Sequence, residues 1–192
     1  MSHPRPTRAD VVRIGTVPVL AALAAIGCAD LIAWRVQPSI GAWGVLDETA
    51  HAATAFVVVA ALGTHFRRRT VLAVIAGAVV LDVDHIPALA GWHFLDNGTP
   101  RPYTHSILGA AIALAVAVAL VRRAGPLALA VWGAIVLHLW RDLAEPDGPG
   151  VSLLWPLSNH AFAIGYLWYI VPLAAAAAVA LGRRMPRRVR EA

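Results

Sequence analysis

Two short stretches and two isolated histidines place acid and imidazole groups at spacings suited to a divalent cation. Leu81-Asp82-Val83-Asp84-His85-Ile86-Pro87 carries three ionisable side chains within four positions. Asp82 and His85, three apart, share a helical face. Asp84 joins them only if the helix unwinds, which Pro87 favours because it lacks an N–H and crowds the preceding turn. In His138-Leu139-Trp140-Arg141-Asp142 the histidine and aspartate are four apart and are neighbours on one helix face. A hydrogen-bonded His–carboxylate pair accounts for His138 and Asp142 taken alone; packing does not account for Asp82, Asp84 and His85 together. His51 and His105 complete the candidate set. Carboxylate oxygens with imidazole nitrogens suit zinc first, with manganese or iron as alternatives. The candidates outnumber the ligands of one tetrahedral ion, so one or two ions fit.

These residues have to be positioned by helices in a bilayer. Of 192 residues 59% are hydrophobic and 14% charged, against about 25% charged in soluble domains, and the mean hydropathy is +0.67. That excludes a disordered chain, a small secreted disulfide scaffold and an ordinary soluble enzyme. Cys28 is the single cysteine, so neither an internal disulfide nor a thiolate zinc site can form. The net charge of +5 comes entirely from arginines spread along an apolar chain, a pattern that speaks for membrane topology and not for a nucleic-acid partner. A span needs about 20 mostly apolar residues. Six segments qualify: 14–34, 49–66, 70–90, 104–121, 125–143 and 160–182. The expected fold is all-α, one polytopic transmembrane bundle over 1–192. The N-terminal apolar run is long for a signal peptide, so the first span is expected to be uncleaved despite the faint lipoprotein-like Ala24-Ala25-Ile26-Gly27-Cys28.

Arginine placement orients the bundle. Arg5, Arg8 and Arg13, then Arg67, Arg68 and Arg69, then Arg122 and Arg123, then Arg183, Arg184, Arg187, Arg188 and Arg190 fall on one side; Arg35, Arg101 and Arg141 fall on the other. The positive-inside rule puts both termini in the cytoplasm, and Trp34, Trp43, Trp92, Trp140 and Trp155 then form an outer belt. Counted from the nearest cytoplasmic arginine at about 1.5 Å per residue, His51, Asp82, His85, His105, His138, Asp142 and Asp30 lie roughly 20–28 Å up. They form one slab just below the outer surface. Unpartnered charges there cost about 2.5–3.5 kcal/mol each, a cost that a shared metal removes.

Other polar residues carry less. Asp96, Glu145 and Asp147 read as loop acids, His93 as a solvated loop histidine, and His65 and His160 as interfacial. Asp30 reads as a ligand or, better, as a partner for a ligand histidine, and Trp132 and Trp168 as core packing. Residues 143–159, rich in Pro and Gly, form an outer connector or a lid.

The order Thr49-Ala50-His51, Asp82-Val83-Asp84-His85-Ile86-Pro87, Thr104-His105-Ser106, His138 to Asp142 and Leu153-Leu154-Trp155-Pro156 resembles the membrane-bound metal-dependent hydrolases of the YdjM-like group, over about residues 47–156. The resemblance implies metal-dependent hydrolysis, with His51, Asp82, Asp84, His85, His105, His138 and Asp142 as metal ligands or catalytic groups. Family members typically read His-Arg-Gly before Thr-His-Ser. Here Pro100-Arg101-Pro102-Tyr103 keeps the arginine and lacks the histidine.

The expected function is a cell (inner) membrane, multi-pass, metal-dependent hydrolase with an extracytoplasmic site, acting on a lipid or lipid-linked phosphoester. Asp84 serves as ligand or general base, and Arg101 clamps a substrate anion. The alternatives are an ion or small-solute transporter using intramembrane Asp and His, and a metal-stabilised protein without turnover. The inner halves of spans 2–6 hold almost no ionisable residue, which disfavours transport.

Overall fold

A computed structural model describes residues 10–36, 38–120, 125–145 and 148–185. Arg5, Arg8, Arg122, Arg123, Asp147, Arg187, Arg188 and Arg190, used above, lie outside these. The order is β1 (Val11–Arg13), α1 (Thr16–Val36), α2 (Ile40–Leu62), β2 (His65–Arg67), α3 (Arg68–Val79), a 3-10 turn (Val80–Asp84), α4 (His85–Leu89), α5 (Ile107–Leu120), α6 (Gly125–Leu143) and α7 (Leu167–Gly182). The protein is mostly helical, as the composition requires. Each of the six expected apolar segments contains helix. Thr16–Val36, Ile40–Leu62 and Arg68–Leu89 are long and apolar enough to cross a membrane; Ile107–Ala119 and α7 are apolar but shorter.

Central to the bundle is α2, which packs on α1, α3, α6 and α7, while α6 also holds α3 and α5. Alanines and valines make these contacts close. Ala55, Val59, Ala60, Val74, Ala78, Ala134 and Ala180 form one buried cluster; Ile26, Ala53, Val57, Tyr169 and Leu173 form a second. Gly77 is required where α3 meets α6: a Cβ there would sit 2.9 Å from the Val131 carbonyl oxygen, so only glycine permits this approach.

β1 and β2 pair antiparallel, Val12 opposite Phe66. Arg184 closes the same end of the bundle. Its guanidinium donates to the carbonyls of Ile14 at 2.9 Å, Ala60 at 3.0 Å and Gly63 at 2.9 Å, and also to that of Ala180. It thereby satisfies carbonyls that the end of α2 leaves without intrahelical donors.

Three boundaries depart from the sequence reading. The second helix begins at Ile40, nine residues before the expected 49, so Asp47 and Glu48 belong to it and not to a loop. The third segment is not one α-helix: residues 80–84 tighten to 3-10 geometry ahead of Pro87, which cannot donate the backbone bond to Val83. The last helix starts at Leu167 and not at 160, because Phe162 is held in an antiparallel bridge with Val151 and Ile164 N–H donates to the Leu143 carbonyl at 2.6 Å.

Candidate metal centre

The centre is assembled from four places in the chain. The face of α2 presents Asp47, Glu48 and His51; the 3-10 turn presents Asp82 and Asp84, with His85 opening α4. The segment ahead of α5 contributes Arg101 and His105, and the end of α6 contributes His138 and Asp142. The expected unwinding decides the place of Asp84, whose Oδ2 lies 3.5 Å from His105 Nδ1.

Local devices fix His105. Ser106 caps α5: its Oγ accepts the Gly109 N–H at 3.0 Å and donates to the Tyr103 carbonyl at 2.7 Å, the side-chain cap that serine favours. A Cβ on Gly109 would fall 2.1 Å from the Thr104 carbonyl oxygen, so any larger residue would displace the peptide carrying His105. Tyr103 stacks on Trp155, with centroids 4.2 Å apart and planes at 8°. Leu153 accepts the Ile107 N–H at 3.0 Å. The Leu-Leu-Trp-Pro stretch therefore acts as a brace for the His105 segment.

Four donor atoms converge at the middle. His105 Nε2 lies 3.2 Å from His138 Nε2, 3.0 Å from Asp82 Oδ1 and 3.4 Å from Asp142 Oδ2. His138 Nε2 lies 3.3 Å from Asp82 Oδ1 and 3.2 Å from Asp142 Oδ2. Five of the six edges of a four-atom cage are thus 3.0–3.4 Å. Donors at 2.0–2.1 Å from a tetrahedral ion would be separated by about 3.3 Å. The tautomer agrees: His138 Nδ1–H donates to the Ala78 carbonyl at 2.7 Å, leaving the Nε2 lone pair aimed into the cage.

Around this cage the same chemistry continues. His51 Nε2 lies 3.2 Å from Asp142 Oδ1 and 3.5 Å from Asp47 Oδ1, and its ring stacks on His138 at 3.8 Å. Asp142 therefore offers one oxygen to each side, as a carboxylate shared by two ions would. His85 Nε2 lies 3.4 Å from Asp82 Oδ1 and 3.9 Å from Asp84 Oδ1. Several of these atoms are buried without a hydrogen-bond partner: both nitrogens of His51, both oxygens of Asp84, His85 Nε2, His105 Nδ1, Asp142 Oδ2 and Glu48 Oε2. Such atoms cost about 1–3 kcal/mol each when left unpaired, and their concentration at one point fits a bound cation. Three groupings here have metal-binding spacing: Asp82, Asp84, His85 and His105; His51, His138 and Asp142; and Asp47, His51 and Asp82.

All seven expected ligands are brought together. Asp47 and Glu48 precede the span expected at 49–66, yet their spacing to His51, four and three residues, is the signal that finds them. Arg101 is 4% exposed and already engaged: Nη2 donates to Glu145 Oε2 at 2.5 Å, and Nη1 lies 3.5 Å from Asp142 Oδ1. Its Nε has no hydrogen-bond partner. Glu145 is no plain loop acid; burial outweighs the neighbouring guanidinium and raises its carboxyl to about 7. Asp30 is not the partner of a ligand histidine. It accepts from Arg141 Nη2 at 2.6 Å and from the Tyr166 hydroxyl at 2.6 Å. Arg141 also lies 3.6 Å from Asp47 and over the Tyr169 ring, so it holds the acid beside His51. His93 is exposed and pairs with Asp96 at 3.1 Å; His160 is exposed against Phe162. Trp168 is exposed on α7 and is not core.

A cavity of about 140 Å³ reaches the centre, lined by Asp47, Glu48, Asp82, His85 and Arg101 together with Ile40, Trp43, Gly44 and Leu89. The family model described as YdjM inner membrane protein matches residues 46–192, a stretch that holds every one of the converging donors. No curated protein and no solved structure gives a significant match.

Proposed function

The chain belongs to the YdjM inner membrane protein family, which supports a cell inner membrane location, and from that premise we propose that it is a membrane-embedded, metal-dependent hydrolase of lipid or lipid-linked phosphoesters. The observation that carries the reading is the convergence of His105, His138, Asp82 and Asp142, five of whose six donor separations are 3.0–3.4 Å. These four residues would hold one zinc ion, or manganese or iron; His51 with Asp47, or Asp84 with His85, each grouped with Asp82, would extend the donor set to a second. Because four protein ligands fill a tetrahedral ion, the water acidified toward pKa 7 would be supplied at an added fifth position or by that second ion, which would also polarise a phosphoryl oxygen.

The remaining steps fall to the chain itself. Asp84, with both carboxylate oxygens buried and lacking hydrogen-bond partners, takes up the proton of the attacking water, or joins the ligands. Arg101 lines the cavity and keeps Nε–H free for a phosphoryl oxygen, while Asp142 and Glu145 hold its other nitrogens. With six spans and both termini cytoplasmic, this site would lie just below the outer surface, facing out. The buried cluster of Val59, Ala60, Val74, Ala78, Ala134 and Ala180, which holds no ionisable side chain, supports a one-sided cup over a transport path.

The test pairs metal content with hydrolysis of phospholipids and lipid-linked phosphates by purified protein. Chelator-sensitive turnover restored by zinc is expected, with metal and turnover both lost in Asp82→Ala and His138→Ala. Full metal content in both variants would overturn the centre; metal-loaded protein inactive on every phosphoester would overturn the hydrolase.

A further inference from the structure

The cavity lining is mixed: the acids, His85 and Arg101 sit in it beside Ile40, Trp43 and Gly44 of α2 and Leu89 of α4. Ile40 and Leu89 are 68% and 67% exposed. A volume near 140 Å³ takes about one benzene-sized group, so it holds a headgroup and not an acyl chain. Gly44 is the narrowest side chain in this lining, and a Cβ built on it meets nothing within 4 Å. Neither packing against a neighbour nor a positive φ calls for glycine here. A mid-helix glycine is unfavourable in itself, and at position 44 it leaves the space beside the cavity lining unfilled.

We infer that Gly44 is a specificity-determining residue and that the cleft between α2 and α4 admits a chain-bearing phosphate monoester or diester sideways from the bilayer. The headgroup lies among the donors and Arg101, while the first carbons of the chain pass over Gly44 between Ile40 and Leu89. This rests on the hydrolase reading for the fate of the headgroup, and on the cavity alone for binding.

The test uses metal-loaded protein in lipid nanodiscs with a dodecyl phosphonate carrying a photoactivatable diazirine near the head, adducts being mapped by mass spectrometry. Adducts on Ile40, Trp43 or Leu89 are expected in the parent, displaced at least tenfold better by dodecyl phosphate than by inorganic phosphate. Gly44→Leu should reduce them at least tenfold with metal content unchanged, since the substitution favours the helix and its Cβ meets no heavy atom within 4 Å. Gly41→Leu, equally open but outside the cavity lining, should label like the parent. Equal labelling in Gly44→Leu, adducts only elsewhere, or equal displacement by inorganic phosphate would each overturn the inference. Labelling as expected without hydrolysis of any phosphoester would support the entry cleft and defeat the hydrolase reading instead.

Discussion

Asp142 shows how much is asked of single side chains here. One oxygen faces His105 and His138; the other faces His51 and Arg101. Asp142→Asn keeps the shape but removes the charge, and is expected to lower metal affinity at least tenfold with helical content retained; titration with a metallochromic chelator reads this. Arg101→Ala, which removes no donor of the cage, should retain metal and lose most turnover of a phosphorylated substrate. Unchanged turnover would remove Arg101 from the anion-binding role. Glu145 gives a pH-dependent signature. With its carboxyl raised to about 7, its contribution to stability is full below the unfolded value near 4.5 and is lost as pH rises through 7. Glu145→Gln should therefore gain Tm relative to the parent between pH 5 and 8 in metal-free protein, and parallel Tm curves would contradict that assignment. Residue types alone pointed to His51, Asp82, His85, His105, His138 and Asp142, because charge within apolar runs needs a partner. Asp47 and Glu48 were not picked out as donors, since the helix that carries them starts at Ile40, ahead of the apolar run counted from 49.

Elements turn those residue types into a site by local devices of known size. The Ser106 cap is worth about 1 kcal/mol, so Ser106→Ala should lower stability by that amount and loosen His105. Gly109→Val should be far more harmful to metal content than to helicity, because the Thr104 carbonyl would have to move; circular dichroism beside metal analysis separates the two. The spacing within Asp82 to Pro87 announced an irregular turn, and the 3-10 segment supplies it. The brace from Trp155 to Tyr103 had no signature in composition, because stacking between two loops depends on tertiary approach and not on periodicity.

For the whole molecule, the helical class followed from apolar run lengths, whereas the ends of the helices depended on bridges such as Val151 to Phe162 that a hydropathy count does not see. Both termini are expected in the cytoplasm. Impermeant thiol labelling of a cysteine placed at Arg68 in intact cells would reverse that orientation, and protection would support it. Because metal binds only the folded state, chelation should lower Tm, and zinc should restore it. The central claim is that four side chains enclose one tetrahedral ion, and X-ray absorption at the zinc edge of stoichiometrically loaded protein tests it most directly. Four nitrogen and oxygen donors at about 2.0–2.2 Å, two of them showing imidazole scattering, with no stoichiometric zinc retained by His138→Ala, is the expected result. A six-coordinate, imidazole-free shell, or no stoichiometric zinc in the parent, would contradict it.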